Sequence, residues 1–387
     1  MRFYTSLCFS VFILTAIMSF HDAIEWITIT TQFNDIYLLR LGARSTISTD
    51  SLMNLSQALK LSEITVDEIF QNIYSGDTVL LNWQGMAIIG ALIFKVFGVP
   101  AGLGLTFFIN VSFLYAAIQN YRKICKHLKI HIPMISIIAI GISPMIIRHI
   151  WSLSKEPISV FFISALALVL VKRKHLILIP IAIFVPIVRT QYLAIIAIAY
   201  FSRLSRYWLP IAFASISLIA PFLNIISQTD FFEVQDAAGV EISSKAIMLY
   251  ILETFNFVGG YLVQLPARIT LNTIAPIAQV SSYLGTLDEG IRPDVLSYIT
   301  YGISLFLVTI KLLIRTLKRD ISSPILLNLV IATFLVIGLI PFLQPRYLMP
   351  ILPIMYILAF APKKGTVQIS KRPRFPLGPV KKKTLFQ

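Results

Sequence analysis

The run GLGLTFFINVSFLYAAIQNY, residues 102–121, is followed at once by RKICKHLK, residues 122–129. A helix needs about 20 predominantly apolar residues to cross the hydrocarbon core of a bilayer, and the first run supplies them. The second holds Arg122, Lys123, Lys126 and Lys129 with no acid among them. Short segments rich in Lys and Arg stay on the cytoplasmic side. Together the two runs predict a span whose C-terminal end faces the cytoplasm, and the rest of the chain can be threaded from it. Cys125 falls in the basic run and is expected on the same side.

Composition agrees. The chain has 387 residues, 57% of them hydrophobic and only 13% charged, with mean hydropathy +0.80. That balance predicts an all-α polytopic membrane protein rather than a soluble domain. Leu7 to Phe20 lacks a small-residue cleavage site and reads as a retained first span. If Arg2 is inside, this span leads outward and residues 21–101 form a long first outer loop. One full crossing then remains before Arg122. Thr78 to Phe97, interrupted by Asn82, Gln84, Gly85, Gly90 and Lys95, is therefore expected to be a juxtamembrane or re-entrant helix on the outer side.

Alternation carries the reading onward through Ile132 to Ile147, Pro157 to Val171, the short hairpin arms Leu176 to Val188 and Tyr192 to Phe201, and Tyr207 to Ile226. A second large outer loop, residues 227–293, precedes spans at Val295 to Ile314, Pro324 to Phe342 and Leu348 to Ala361. The result is a transmembrane domain over residues 1–361 with about ten transmembrane helices and both termini cytoplasmic. The plasma (inner) membrane is the expected location. Every carboxylate except Asp320 then falls on the outer side or at its interface, although the acids did not guide the threading.

The formal charge of +15 would suggest nucleic acid in a soluble chain, but here it is concentrated at membrane boundaries and in the tail, residues 362–387. That tail carries Lys363, Lys364, Lys371, Arg372, Arg374, Lys381, Lys382 and Lys383 and no acid, which suits an unstructured cytoplasmic end near anionic headgroups. No aromatic-interleaved basic pattern accompanies it, so no nucleic-acid partner is expected. Cys8 and Cys125 are too few and too far apart for a disulfide framework or a zinc site.

The outward turns each bring a basic residue to the membrane boundary: Arg40, Lys155, Arg189 and Arg346 are the main ones. Charges at that depth are costly and usually face a cavity or a partner. An Arg fork donates two parallel hydrogen bonds, which suits a phosphate. With their neighbours Glu156, Gln191 and Tyr347 they form the candidate substrate-binding set. Each has a plainer reading: Lys155 beside Glu156 can start the next helix, and Arg189 can snorkel. Asp35, in the apolar run FNDIYLLRLG (residues 33–42), is the candidate catalytic base, because a partly buried carboxylate can have its pKa raised toward neutrality. Its plainer reading is a cap or ion pair at the start of the helix that follows.

The order of these features resembles a known family. The acidic first loop with Asp35, the run NWQG (residues 82–85), the turn SKEP (residues 154–157) and QPRYLMP (residues 344–350) before the last span are similar to the GT-C superfamily of membrane glycosyltransferases. Members commonly carry His-Pro-Pro where this chain has Asn82, Trp83 and Gln84, and often a paired acid where it has Asn34 and Asp35. The resemblance implies transfer of a sugar or glycan from a polyprenyl phosphate or diphosphate to an acceptor glycan or lipid at the extracytoplasmic face. Asp35 would then take the acceptor proton while Lys155, Arg189 and Arg346 neutralise the leaving phosphate. The residues assign no cofactor, a divalent cation being the candidate. A repeat-unit polymerase of the O-antigen type and a non-enzymatic flippase of lipid-linked glycans are the competing readings. The flippase calls for ionisable residues near the midplane of several spans, whereas here they gather at the outer ends.

Overall fold

A computed structural model describes residues 49–68, 78–130, 146, 149–151, 153–173, 175–189, 191–215, 293–337 and 345–361. Asp35 and Arg40, the second outer loop and the basic tail lie outside these residues, and so does the first predicted span. Of the described residues 87% are helical and none is in a strand, so the all-helical class holds. One helical segment among them, Ala101–Leu128, is long and apolar enough to cross a membrane, and Gly85–Phe97, Gln191–Leu204, Pro324–Ile337 and Tyr347–Phe360 are shorter apolar helices.

The first helical pair is α1 (Thr49–Glu63) and α2 (Thr78–Phe97). Leu55, Ala58 and Leu59 recur at helical spacing along α1 and meet Ala87 and Phe94 of α2 in a small core of their own. Gly90 is where this pair accepts the rest of the protein. A Cβ there would stand 2.4 Å from Cδ1 of Leu153, so the absence of a side chain is what lets Leu153 seat on α2. Lys95 of α2 reaches back to the Ile64 carbonyl just beyond α1.

Gly98 turns α2 into α3 (Val99–Leu128) at φ 74°, a conformation that glycine alone adopts without steric cost. Pro100 in the first turn of α3 loses nothing by lacking an N–H there. At its other end α3 continues through Arg122, Lys123 and Lys126 and stops only at Lys129, which is left-handed. The basic run expected beyond the end of the span therefore rides on the last two turns of the helix. Lys and Arg are good helix formers, so nothing local stops the helix where hydropathy ends.

The central helix is α4 (Glu156–Lys172), with thirteen of its seventeen residues buried. Asn110 Nδ2 donates to the Ile150 carbonyl at 2.9 Å and, further along, Asn120 Nδ2 to Ser164 Oγ at 3.1 Å. Both partners advance in the same sense, so α3 and α4 run parallel. Beside α4 lie α5 (Leu178–Val188) and α8 (Pro324–Ile337); α6 (Gln191–Leu204) packs on both of these, and α9 (Leu352–Phe360) packs between α8 and α7 (Pro293–Leu317). Their buried faces share one large apolar core with α3 and α4. Leu348 to Ile351, read as the start of the last span, belong instead to a 3-10 helix, Pro345–Ile351, and α9 begins only after it. Pro350 lacks the N–H that an α-helix would use at that point, and its ring obstructs the α-helical path.

Candidate functional site

The N-terminal end of α4 carries the only acid of that helix, Glu156, which is 4% exposed. The approach to it is rigid: Trp151 stacks on Phe107 with ring centroids 4.0 Å apart, and Asn110 holds the Ile150 carbonyl. Lys155 occupies the N-cap position in helical geometry, and its carbonyl accepts from Ser159 N at 2.9 Å. Ser154 Oγ donates to Glu156 Oε2.

Across from it, α5 ends at Arg189 in an extended conformation. Arg189 N donates to the Val185 carbonyl at 2.8 Å, and the Arg189 carbonyl accepts from Tyr192 N at 3.1 Å as α6 begins. Backbone bonds on both sides thus fix where the side chain starts. The guanidinium Nη2 donates to Glu156 Oε1 at 2.8 Å, in an ion pair whose side chains are 8% and 6% exposed. Its Cζ lies 4.6 Å from the centre of the Tyr347 ring, a distance for cation–π attraction.

Three of the candidate residues, Glu156, Arg189 and Tyr347, therefore meet at one point although they are far apart in sequence. Lys155 is next to Glu156 in the chain and half-buried. Gln191 opens α6 with its Oε1 buried and without a hydrogen-bond partner among the described residues. Arg346 adjoins Tyr347 in the 3-10 turn that packs on α4, but its side chain is outside the described set, as are Asp35 and Arg40 altogether.

Two residues not singled out from sequence complete the point. The Tyr192 hydroxyl lies beside Ser159 and in the field of Arg189, Glu156 and Tyr347. Neither hydroxyl completes a hydrogen bond among the described residues. Ser and Tyr inside apolar helices carry no distinctive spacing; the signal was Ser159 lying three positions after Glu156, on the same face of α4.

Adjoining the pair is an apolar cavity of about 430 Å³ between α2, α3, α4 and α5, walled by Met86, Leu153, Ile158, Phe184 and Val188. Leu153 and Ile158 flank the Ser154 to Glu156 turn, and Val188 precedes Arg189, so part of the cavity wall shares backbone with the ion pair, although neither Glu156 nor Arg189 lines the cavity. The site thus offers an oriented guanidinium one residue along the chain from an apolar cavity wall. Arg189 uses one donor on Glu156, and its other N–H groups have no hydrogen-bond partner among the described residues. No group of three His, Cys, Asp or Glu side chains among those residues could hold a metal ion. No family model, curated protein or solved structure matches the chain.

Proposed function

We propose that this protein is a polytopic membrane glycosyltransferase that transfers a sugar or glycan from a polyprenyl phosphate or diphosphate to an acceptor hydroxyl at the extracytoplasmic face. The observation that carries the reading is Arg189. It is fixed by Glu156 and Tyr347, with donors to spare, and the residue before it, Val188, walls an apolar cavity. A phosphate attached to a long hydrocarbon chain has the matching chemistry, an anion joined to an apolar tail.

Glu156 offsets one charge, and Lys155 beside it in sequence and Arg346 beside Tyr347 are the further cations that we assign to the phosphate. In the reaction the acceptor O–H bond breaks with its proton passing to a base, for which Asp35 is our candidate. The acceptor oxygen bonds to the anomeric carbon. The bond from that carbon to the phosphate oxygen breaks, and the oxygen keeps the electron pair. Oriented cations stabilise that developing charge more than the bound donor, which is how they accelerate the step.

The ten-span topology belongs to the same proposal. In its favour, large apolar side chains face outward, such as Phe108 at 67%, Phe184 at 58% and Leu307 at 59% exposed, while Glu156, Arg189, Ser154 and Ser159 are inside. That distribution suits a lipid surround. Cys125 is buried and cannot report its side of the membrane to a thiol reagent. Lys126→Cys can, because Lys126 is exposed. An impermeant reagent should label it only in permeabilised cells; labelling in intact cells would invert the topology.

The activity test is transfer of labelled sugar from a synthetic polyprenyl-phosphate donor by the detergent-solubilised protein. Turnover in solution, where there are no two sides to move between, supports the enzyme. A chain that moves lipid-linked glycan across proteoliposomes yet transfers nothing in detergent is a flippase.

A further inference from the structure

Three non-glycine residues among those described have left-handed backbone, and all three are basic: Lys129 at φ 56°, Arg173 at φ 59° and Arg319 at φ 54°. Each follows a helix end, after α3, α4 and α7 respectively. The Lys129 and Arg319 turns are closed by long backbone bonds, Ile130 N to the Cys125 carbonyl at 3.0 Å and Asp320 N to the Arg315 carbonyl at 2.8 Å. Glycine is the residue that fits this position without steric penalty. Backbone geometry therefore argues against a long charged side chain three times over.

The three positions share one end of the protein. α3 and α4 run parallel, and Lys129 and Arg173 stand at the same level because each lies nine residues beyond the bonded pair Asn120 and Ser164. The Tyr347 turn sits at the opposite end, against Arg189, and α9 leads away from it. Arg315, near the end of α7, donates to the carbonyls of Leu358 and Ala361 at 2.8 and 2.6 Å, so α7 finishes where α9 does. α6 likewise starts beside Glu156 and leads away toward Arg206.

Lys126, Lys129, Arg173, Arg206, Lys318 and Arg319 are all exposed on this face and form no ion pair among the described residues. The nearest acid in sequence, Asp320, is taken by Arg315 at 3.5 Å. Exposed apolar side chains border the cations directly: Leu313, Ile314 and Leu317 lie on the last turns of α7. Exposed cations with no ion pair among the described residues, at the foot of an apolar wall, have the layout of a headgroup boundary.

We infer that this face is a binding surface for the phosphate headgroups of anionic membrane lipids, with Lys129, Arg173 and Arg319 as its fixed contacts. The inference rests on the bilayer part of the proposed function and is independent of glycosyl transfer. Held at the ends of rigid helices, these side chains lose less freedom on binding than the same charges in an unstructured segment would.

The test uses the full chain in detergent, titrated with phosphatidylglycerol or phosphatidylcholine and read by native mass spectrometry as the ratio of the two affinities. Each basic side chain near an anionic surface is worth about fivefold. The triple variant Lys129→Gly, Arg173→Gly, Arg319→Gly should therefore lower the ratio by about a hundredfold if the three contributions add. Its melting temperature should hold or rise, because glycine relieves the backbone. If it melts lower, the neutral triple with Asn, which also tolerates this conformation, takes its place with the same outcomes. An unchanged ratio overturns the inference, and so does displacement of phosphatidylglycerol by an equal concentration of inorganic phosphate. A chain that purifies without detergent would end the bilayer reading itself, which separates the two failures.

Discussion

The two ends of the helical bundle handle charge in opposite ways. Around the start of α4, Glu156 and Arg189 are more than nine-tenths buried and bonded to each other, with Tyr347 covering the guanidinium. At the far end, Lys129, Arg173 and Arg319 are exposed and without ion-pair partners among the described residues, on backbone that would suit glycine. A buried charge is tolerable only with its partner in place, whereas an exposed one is solvated and replaceable. Substitutions at the first end should therefore damage both fold and function, and those at the second should change only what the surface attracts.

The largest effect is expected from breaking the pair on one side. Glu156→Ala leaves the Arg189 guanidinium buried with no counter-charge, a change that typically costs about 3–5 kcal/mol. Thermal unfolding of the detergent-solubilised chain should show it, and the double variant Glu156→Ala, Arg189→Ala should recover part of the loss. If the double variant falls by the sum of the two singles, the pair is not acting as a unit. Arg189→Lys comes next. It keeps the charge but loses the fork, so melting should shift little while transfer from the lipid-linked donor falls by about ten- to a hundredfold. Unchanged transfer at equal abundance would remove Arg189 from the reaction.

A smaller effect tests the ground between the two ends. Gly98→Ala meets no atom within 4 Å, so its cost is backbone strain alone, about 1–3 kcal/mol, because φ 74° with ψ 163° is a region kept essentially for glycine. Lys129→Gly moves the other way, from the milder left-handed conformation at φ 56° and ψ 37°, and should stabilise by a few tenths of a kcal/mol to about 1. Opposite signs in the two melts would show that strain, rather than contacts, governs both turns.

Much of the helical layout was legible in the sequence because apolar runs and prolines mark helix starts: Pro100, Pro157 and Pro353 each stand in a first turn. Helix ends were harder. The α3 helix runs past its hydropathy boundary because basic residues extend a helix readily. The site was half legible. Charges at membrane boundaries drew attention to Glu156 and Arg189, but their partnership spans 33 residues and no periodicity encodes it. Lys155 beside Glu156 read as a helix start, and Lys155 does hold the N-cap position, but nothing in the sequence joined Glu156 to Arg189. Ser159 and Tyr192 were missed because a hydroxyl in an apolar helix looks like filler until the fold shows what it faces.

The smallest effect separates burial from partnership, which change together at the two ends. Glu68 is fully exposed yet partnered. Its Oε2 accepts from the Thr65 N–H at 2.8 Å and the Thr65 hydroxyl at 2.9 Å, while Glu68 N donates back to Thr65 Oγ1 at 3.2 Å. This reciprocal arrangement caps a helical turn at its start. The backbone N–H of Thr65 first, then its hydroxyl, holds the Glu68 carboxyl below its ordinary value of 4.5, with Lys95 adding attraction. A depressed folded pKa means that the protein binds fewer protons here than the unfolded chain does. The cap's contribution is therefore complete above 4.5 and fades as pH falls through the lower folded value. Hydrogen exchange at the Thr65 amide, followed from neutral pH downward and corrected for intrinsic rate, should lose protection in that acid window. Glu68→Gln should abolish the pH dependence while keeping a weaker cap. If the native chain shows no acid step, partnership at an exposed site contributes nothing measurable, and burial alone explains why the two ends of the bundle differ.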